Sequence, residues 1–200
     1  DLSSSAFFIA AALINKGSKI SLKNININPT RDGILIALKK MGARINFKNR
    51  RAIGGELIAD LDIQYTDLNG CELNADMAKL MIDEYPILSI AAAFANGPSI
   101  FRGLGELKVK ESNRLEMIKS NLLRCGCDCK IIKDDLIIKP SKEYHVIDNK
   151  IRTDFDHRIA MSFAVMGTKI NNLKIEDSES INTSFPNFKE IFNNCGGNVL

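Results

Sequence analysis

The sequence predicts an α/β fold in which a β-α-β-α-β-β unit occurs three times, with buried helices inside, sheets outside, and incomplete units at both ends. Three alanine-rich segments each end at a glycine, and each is followed by a strand-like run and a second helix that also ends at a glycine. An alanine-dominated helix has little bulk and can be buried on most sides. The glycine pairs lie 25, 29 and 29 residues apart: Gly17 and Gly42, Gly97 and Gly126, Gly167 and Gly196.

The first unit, about residues 1–65, is predicted to lack a leading strand. Glycines are common just past helix ends, which sets the helix boundaries. In order, we expect a helix at 9–17, a strand at 19–25, a helix at 33–42, and a strand pair at 44–47 and 55–59.

The second unit, about residues 66–142, is predicted to be complete. Its elements are a leading strand at 73–81, a helix at 90–97, a strand at 99–103, a helix at 112–126, and a strand pair at 128–132 and 135–139 joined by a turn at Asp134–Asp135.

The third unit, about residues 143–200, is predicted to lack the closing strand pair. We expect a leading strand at 144–152, a helix at 159–167, a strand at 172–176 and a helix at 185–196. Because the first and last units are both unfinished, we expect a segment outside these 200 residues to complete the sheets.

Composition limits the possible functions. The net charge is only +3, which does not favour a nucleic-acid partner, and no apolar run approaches the roughly 18 residues of a membrane span. Five cysteines without a disulfide pattern suit a reducing cytoplasm. Cys125, Cys127 and Cys129 do not have the C-x-x-C spacing of zinc sites, so we expect no metal.

Charged residues are concentrated where predicted helices begin. Lys108, Lys110, Glu111 and Arg114 lie within seven residues, after a glycine-rich turn. Lys110 and Arg114 share a face if the helix has begun by then. Two cations and a carboxylate at a helix entrance suit an anionic substrate that also needs a proton moved, although a solvated first turn would have the same composition.

Two other helix entrances carry charges. Asp83 precedes one apolar helix, and Asp156 and Arg158 precede another. The two aspartates could be helix caps. An arginine in a first turn is disfavoured by the helix dipole, so Arg158 is expected to have an anion or a carboxylate as its partner.

Together these segments resemble the 5-enolpyruvylshikimate-3-phosphate synthase family, almost from end to end. The separation of 27 residues between Asp83 and Lys110 is also that of the family, and residues 1–8 resemble its return from the second domain to the first. The resemblance implies the inside-out α/β barrel domain of enolpyruvyl transferases. The segments that carry it are 83–86 (Asp-Glu-Tyr-Pro), 109–114 (Val-Lys-Glu-Ser-Asn-Arg), 156–161 (Asp-His-Arg-Ile-Ala-Met) and 183–186 (Thr-Ser-Phe-Pro).

The resemblance also implies a reaction without metal or organic cofactor. The family transfers the enolpyruvyl group of phosphoenolpyruvate to the 5-hydroxyl of shikimate 3-phosphate and releases phosphate. By motif, Asp83 corresponds to the general base, Lys110 to its partner at the 5-hydroxyl, with a pKa depressed if neighbouring cations act on it, and Glu111 to the acid at the methylene carbon. Arg114 and Arg158 correspond to the phosphoenolpyruvate clamps.

The chain also departs from the family pattern. Ser184 stands where some members of the family carry a lysine, and Glu106 stands where some have an asparagine. For His157, a role in orienting its neighbours explains the motif as well as direct participation in the reaction does. The family's N-terminal Lys-Ser…Arg, Asn-Ala-Gly-Thr and Ser-Ala-Gln segments do not occur. The resemblance therefore implies that residues 1–200 are one domain with about half a site, inactive without the second domain and an N-terminal segment.

Two other functions remain open at this point. A sister enolpyruvyl transferase that acts on UDP-N-acetylglucosamine has the same architecture. A non-catalytic α/β repeat module that binds RNA or protein would instead spread basic residues along one face, with aromatic residues between them. Aromatic residues are only 6% of this chain, and its cations lie beside carboxylates.

Overall fold

Residues 1–141 and 143–199 are described by a computed structural model of the chain. Short 3-10 helices lie at Ala75–Met77, Ile82–Glu84, Gly105–Val109 and Ser178–Thr183. The other elements, in chain order, are α1 (Leu2–Ile14), β1 (Lys19–Asn26), α2 (Gly33–Lys40), β2 (Ile45–Ile53), β3 (Glu56–Gln64), β4 (Glu72–Leu73), α3 (Ala78–Met81), α4 (Tyr85–Ala93), β5 (Ser99–Phe101), α5 (Arg114–Arg124), β6 (Asp128–Ile132), β7 (Asp135–Lys139), β8 (Lys150–Ile151), α6 (His157–Met166), β9 (Lys174–Ile175) and α7 (Phe188–Asn194).

The strands form three separate sheets, one within each predicted unit. The first has the order β1-β3-β2 and is antiparallel. The second has the order β4-β5-β7-β6, with β4 parallel to β5 and the other pairs antiparallel. The third consists of β8 parallel to β9. Within the described residues, the first sheet has no strand equivalent to β4, and the third has no pair equivalent to β6 and β7.

The helices α1, α4 and α6 form the centre of the core and contact one another pairwise. Every residue of α4 is buried, as expected for an alanine-rich helix surrounded by protein. At one end, Asn15 after α1 donates to Thr168 after α6 at 2.7 Å, and Lys169 lies 5.9 Å from the ring of Phe94, which follows α4. At the other end the three N-termini meet, so the helices run in the same direction.

The predicted α/β fold with buried helices and outer sheets is confirmed, and some local predictions hold closely. The strands at 128–132 and 135–139 are β6 and β7. Their turn is shifted by one residue, because Lys133 takes the left-handed conformation (φ 57°) and Asp135 is already in the strand. The pair β2 and β3 is longer than predicted.

Both predicted leading strands are wrong over most of their length. Only Glu72–Leu73 and Lys150–Ile151 pair as strands. The run Ala75–Met81 is helical, since alanine, methionine, leucine and lysine favour helix and its apolar residues pack on the core without strand alternation. Residues 144–149 form a loop, tied down by Tyr144, whose hydroxyl donates to the Ala93 carbonyl and whose ring packs 4.9 Å from Phe94.

Two predicted boundaries cannot be compared with the structure. The second unit was expected to end at residue 142 and the third at residue 200, and both positions lie outside the described residues.

Candidate active site

The candidate site lies where α1, α4 and α6 begin. Ser3 is in the first turn of α1, Glu84 immediately precedes α4, and Arg158 is in the first turn of α6. Arg158 Nη1 donates to Ser3 Oγ at 2.8 Å and to the Asp83 carbonyl at 3.1 Å. Ser3 Oγ in turn donates to Glu84 Oε1. One hydrogen-bonded group therefore joins the three helix entrances.

Asp83 is the meeting point of the predicted cations, two of which contact its carboxylate and one its backbone carbonyl. Its Oδ1 lies 2.8 Å from Arg114 Nη1 and 3.5 Å from Lys110 Nζ, while Arg158 contacts its carbonyl. The Asp83 side chain makes no cap hydrogen bond and is 39% exposed. The structure thus brings Asp83, Lys110, Arg114 and Arg158 together, and Asp83 is not the helix cap that the sequence also allowed.

Arg114 is the most buried of these side chains, at 1% exposure. Its Nε donates to Asp156 Oδ2 at 2.7 Å, and its Nη2 lies 2.6 Å from Glu111 Oε2. With Asp83 on Nη1, the guanidinium faces three carboxylates. A fully buried arginine in a first turn is tolerable only with such partners, because burying an unpaired charge is costly.

Helix α5 begins only at Arg114, with Asn113 Oδ1 accepting from the Glu116 amide at 3.1 Å as its cap. Lys110 follows a separate 3-10 helix and has extended backbone. The condition under which Lys110 and Arg114 would share a face, that the helix has begun by Lys110, is therefore not met. They approach each other through Asp83 instead, because the intervening residues turn the chain.

Asp156 serves two elements at once. Its Oδ1 accepts from the amides of Arg158 and Ile159, which makes it the cap of α6, and its Oδ2 also accepts from Ser112 Oγ at 3.0 Å. Burial alone would raise the pKa of this fully buried carboxyl, but the hydrogen bond and charge of Arg114, with the Ser112 and amide donors, lower it overall. Asp156 is therefore an anion that fixes Arg114.

The pKa of Lys110 is raised, not depressed. The main cause is its hydrogen bond with Glu106, whose carboxylate is 2.8 Å away, and the charge of Asp83 adds to it, while burial acts in the opposite direction. The expected depression by neighbouring cations is absent because carboxylates, and not arginines, are the groups closest to Nζ. The structure thus gives Glu106 a contact that the sequence did not assign.

His157 and Ser184 take no part in the network among the described residues. His157 is the first residue of α6 and half-buried, and burial is the main cause that lowers its pKa, so it is neutral at pH 7. Ser184 is exposed and contributes only its backbone amide, which donates to the Ile181 carbonyl.

Besides Glu106 and Asp156, which the sequence analysis named without a catalytic or binding role, three residues of the network were not predicted as site residues: Ser3, Glu84 and Ser112. Of these three, only Glu84 could have been found from the sequence, because a second carboxylate next to Asp83, directly before an apolar helix, needs a hydrogen-bonding or positively charged partner. A serine in a first turn is too common to mark a site.

The cysteines form no metal centre. No group of three possible metal ligands occurs among residues 1–141 and 143–199. Burial raises the pKa of Cys125, Cys127 and Cys129 to about 12, which makes them inert thiols in the core. None of the helices in the described part of the chain is long and apolar enough to cross a membrane.

Comparison with known proteins gives one consistent family. The sequence profile of EPSP synthase (3-phosphoshikimate 1-carboxyvinyltransferase) matches residues 1–192. The chain is 46% identical over 200 residues to the 3-phosphoshikimate 1-carboxyvinyltransferase of Paramagnetospirillum magneticum and 42% identical over 204 residues to that of Rhizobium johnstonii. In both cases the match covers all of this chain and 45% of the relative, so the chain spans about half the length of these relatives.

Solved structures agree. EPSP synthase from Acinetobacter baumannii superimposes with a TM-score of 0.91 and 39% identity, over 98% of this chain and 45% of that one. The enolpyruvyl transferase NikO from Streptomyces tendae matches 99% of this chain and 43% of its own with a TM-score of 0.71 and 15% identity, a similarity of fold alone. The sequence, the fold and the profile that matches 192 of its residues establish that this chain belongs to the EPSP synthase family.

Proposed function

We propose that residues 1–200 form one domain of a two-domain enzyme that transfers the enolpyruvyl group of phosphoenolpyruvate to the 5-hydroxyl of shikimate 3-phosphate. The observation that carries the proposal is the convergence of Lys110, Arg114 and Arg158 on Asp83 at the entrances of the three central helices. The half-length match to the relatives supports a second domain with the rest of the site.

In this proposal Asp83 accepts the proton of the 5-hydroxyl while that oxygen bonds to C2 of phosphoenolpyruvate. Its carboxylate is partly exposed and held by two cations, so it is both accessible and fixed in direction. Lys110, whose pKa is raised, is an ammonium at pH 7 and stabilises charge on the reacting oxygen without giving up its proton.

In its protonated form, Glu111 is proposed to donate that proton to the methylene carbon as the C2–O bond forms. It is half exposed and touches Arg114 through Oε2. The resulting tetrahedral intermediate loses phosphate, which takes up the proton that Asp83 accepted, and the Glu111 carboxylate takes a proton back from the methyl carbon to restore the double bond.

Arg158 is proposed to bind the anionic groups of phosphoenolpyruvate, since a guanidinium can bind carboxylate or phosphate through two parallel hydrogen bonds. Arg114 is proposed to act on the same anion through its charge, because its Nη2 is buried and faces Glu111. Its other two nitrogens are engaged with buried or partly buried aspartates. Arg114 is therefore proposed to contribute a fixed positive charge next to the phosphoenolpyruvate anion.

A cytoplasmic location is part of the proposal. All five cysteines are free thiols, and the adjacent core thiols are not cross-linked, as is usual in a reducing compartment.

The test is phosphate release from shikimate 3-phosphate and phosphoenolpyruvate. We expect turnover by the full-length gene product that contains these residues and none by residues 1–200 alone, because one wall of a cleft cannot exclude water. Adding the separately produced remainder of the protein should restore activity. UDP-N-acetylglucosamine in place of shikimate 3-phosphate is the comparison substrate. The proposal would be contradicted by turnover with UDP-N-acetylglucosamine but not with shikimate 3-phosphate. Robust turnover by residues 1–200 would also contradict it.

A further inference from the structure

Glu84 is a buried carboxylate that the proposed reaction does not use. Its side chain is 11% exposed, and it lies beside Asp83 at the entrance of α4. Burial raises its pKa, while Ser3 and Arg158 act in the opposite direction. A buried acid next to a substrate-binding arginine calls for a physical account.

The contacts of Glu84 lead to Arg158. Ser3 Oγ donates to Glu84 Oε1 and accepts from Arg158 Nη1 at 2.8 Å, so the hydroxyl links the Glu84 carboxylate to the Arg158 guanidinium through two hydrogen bonds. Glu84 Oε1 is itself 3.7 Å from the same Nη1. These residues come from three different helix entrances, separated by 81 and 155 positions from Ser3 in the sequence.

The hydrogen bonds and the ion pair of the Arg158 guanidinium to the described residues all involve one nitrogen. Ser3 Oγ, the Asp83 carbonyl and Glu84 Oε1 each approach Nη1. In the described part of the chain, no hydrogen bond or ion pair is formed by Nε or Nη2. Because a guanidinium is rigid and planar, fixing Nη1 also fixes the direction of the Nε–Nη2 edge, which is suited to a bidentate anion. The Arg158 side chain is 17% exposed, so part of it reaches the surface while Nη1 is held by its three partners.

We infer that Glu84 is a positioning residue, which holds Nη1 of Arg158 directly and through Ser3 so that the opposite edge of the guanidinium is presented to the phosphoenolpyruvate anion. This inference rests on the proposed function. A purely structural ion pair would make a different prediction, because its loss would lower stability without a selective effect on one substrate.

The experiment measures steady-state kinetics of the full-length enzyme with both substrates, together with its melting temperature. The variants are Glu84→Ala, which removes acceptor and charge, Glu84→Gln, which keeps an acceptor, and Ser3→Ala, which removes the relay. Glu190→Gln is the matched control, because Glu190 is exposed on α7 and makes no ion pair among the described residues.

We expect Glu84→Ala to raise KM for phosphoenolpyruvate about tenfold, with smaller increases for Glu84→Gln and Ser3→Ala, because a misdirected binding group loses affinity steeply with displacement. The value of kcat and the KM for shikimate 3-phosphate should stay within about twofold. The Glu190→Gln variant should match the wild type. If Glu84→Ala does not fold, the two milder variants decide the result.

The decisive control is the same change in an Arg158→Ala background. Arg158→Ala alone should raise KM for phosphoenolpyruvate by roughly 10- to 100-fold through loss of a charge-assisted contact. If Glu84 acts through Arg158, adding Glu84→Gln there should change KM less than about twofold. Additive effects, equal effects on both substrates, or no change in KM would overturn the inference. An inactive wild-type enzyme would instead refute the proposed function.

Discussion

Replacing Asp156 by alanine is the sharpest test of how the site is held together. Both carboxylate oxygens are used: Oδ1 caps α6, and Oδ2 accepts from Arg114 Nε at 2.7 Å and Ser112 Oγ at 3.0 Å. Asp156 and Arg114 are both fully buried. The substitution therefore leaves a buried guanidinium with one unpaired edge and the first turn of α6 without its cap.

The magnitude follows from these contacts. Removing one partner of a buried ion pair destabilises a protein by about 3–5 kcal/mol, and a lost cap by about 1 kcal/mol. The two effects share one carboxylate and are not additive, and Arg114 keeps Asp83 and Glu111 as partners. We therefore expect about 4 kcal/mol. At 2–4 °C per kcal/mol for a domain of this size, Tm should fall by about 8–16 °C.

The stability of the protein is measured by urea and thermal unfolding, with the wild type and each variant produced as chains of the same length. Asp156→Asn keeps an oxygen for the cap but places an amide beside two donors, so it should lose most of the same stability. The control is Asp76→Ala, which breaks an ion pair with Lys79 whose side chains are both about 80% exposed, and it should change stability by less than about 0.5 kcal/mol. A loss below about 1 kcal/mol for Asp156→Ala would refute the reasoning.

Three further outcomes are expected. In the full-length enzyme, Asp83→Asn should lower kcat by about 10²-fold or more and change KM far less, because it removes the base and keeps the shape; a fall in Tm alone would make Asp83 structural. Since the pKa of Asp156 is lowered by folding, its contribution to stability is complete above the unfolded value of about 4 and is lost as pH falls below it, so Asp156→Asn should flatten the acid limb of the stability profile. A thiol reagent at pH 8 should modify exposed Cys195 at least about 100-fold faster than the buried Cys-Gly-Cys-Asp-Cys thiols, and equal rates would contradict their burial and raised pKa.

What the sequence could predict depended on how local the signal was. The pair β6 and β7 was predicted to the residue because a five-residue strand, a polar turn and a second strand are contiguous. The central helices were located by their alanine-rich runs, but their bounds were not: α1 and α4 begin seven and five residues before the predicted 9–17 and 90–97, and they end at Ile14 and Ala93, before the glycines. The leading strands failed because a two-residue strand such as β4 has no periodicity, and its pairing with β5 is decided 28 residues away.

The sequence predicted several residues of the site but not the contacts between them. Motifs identified Asp83, Lys110 and Arg114, yet nothing local indicated that Arg114 is buried among three carboxylates. Its partner Asp156 lies 42 residues away, and the contact with Ser112 depends on where α5 begins. The protonation of Lys110 was likewise beyond reach, because it depends on whether a carboxylate or a guanidinium is nearest to Nζ.

The net charge of the ion-paired side chains at the candidate site is a physical argument for a second domain that completes the site. Its acidic groups outnumber its basic groups by five to three, so with all of them ionised the site carries a net charge of −2 and would repel a phosphorylated substrate. The carboxylates instead fix the three cations in direction. Under the proposed function, the additional positive charge that two anionic substrates require comes from outside these residues. The members are Asp83, Glu84, Glu106, Glu111 and Asp156 on one side, and Lys110, Arg114 and Arg158 on the other.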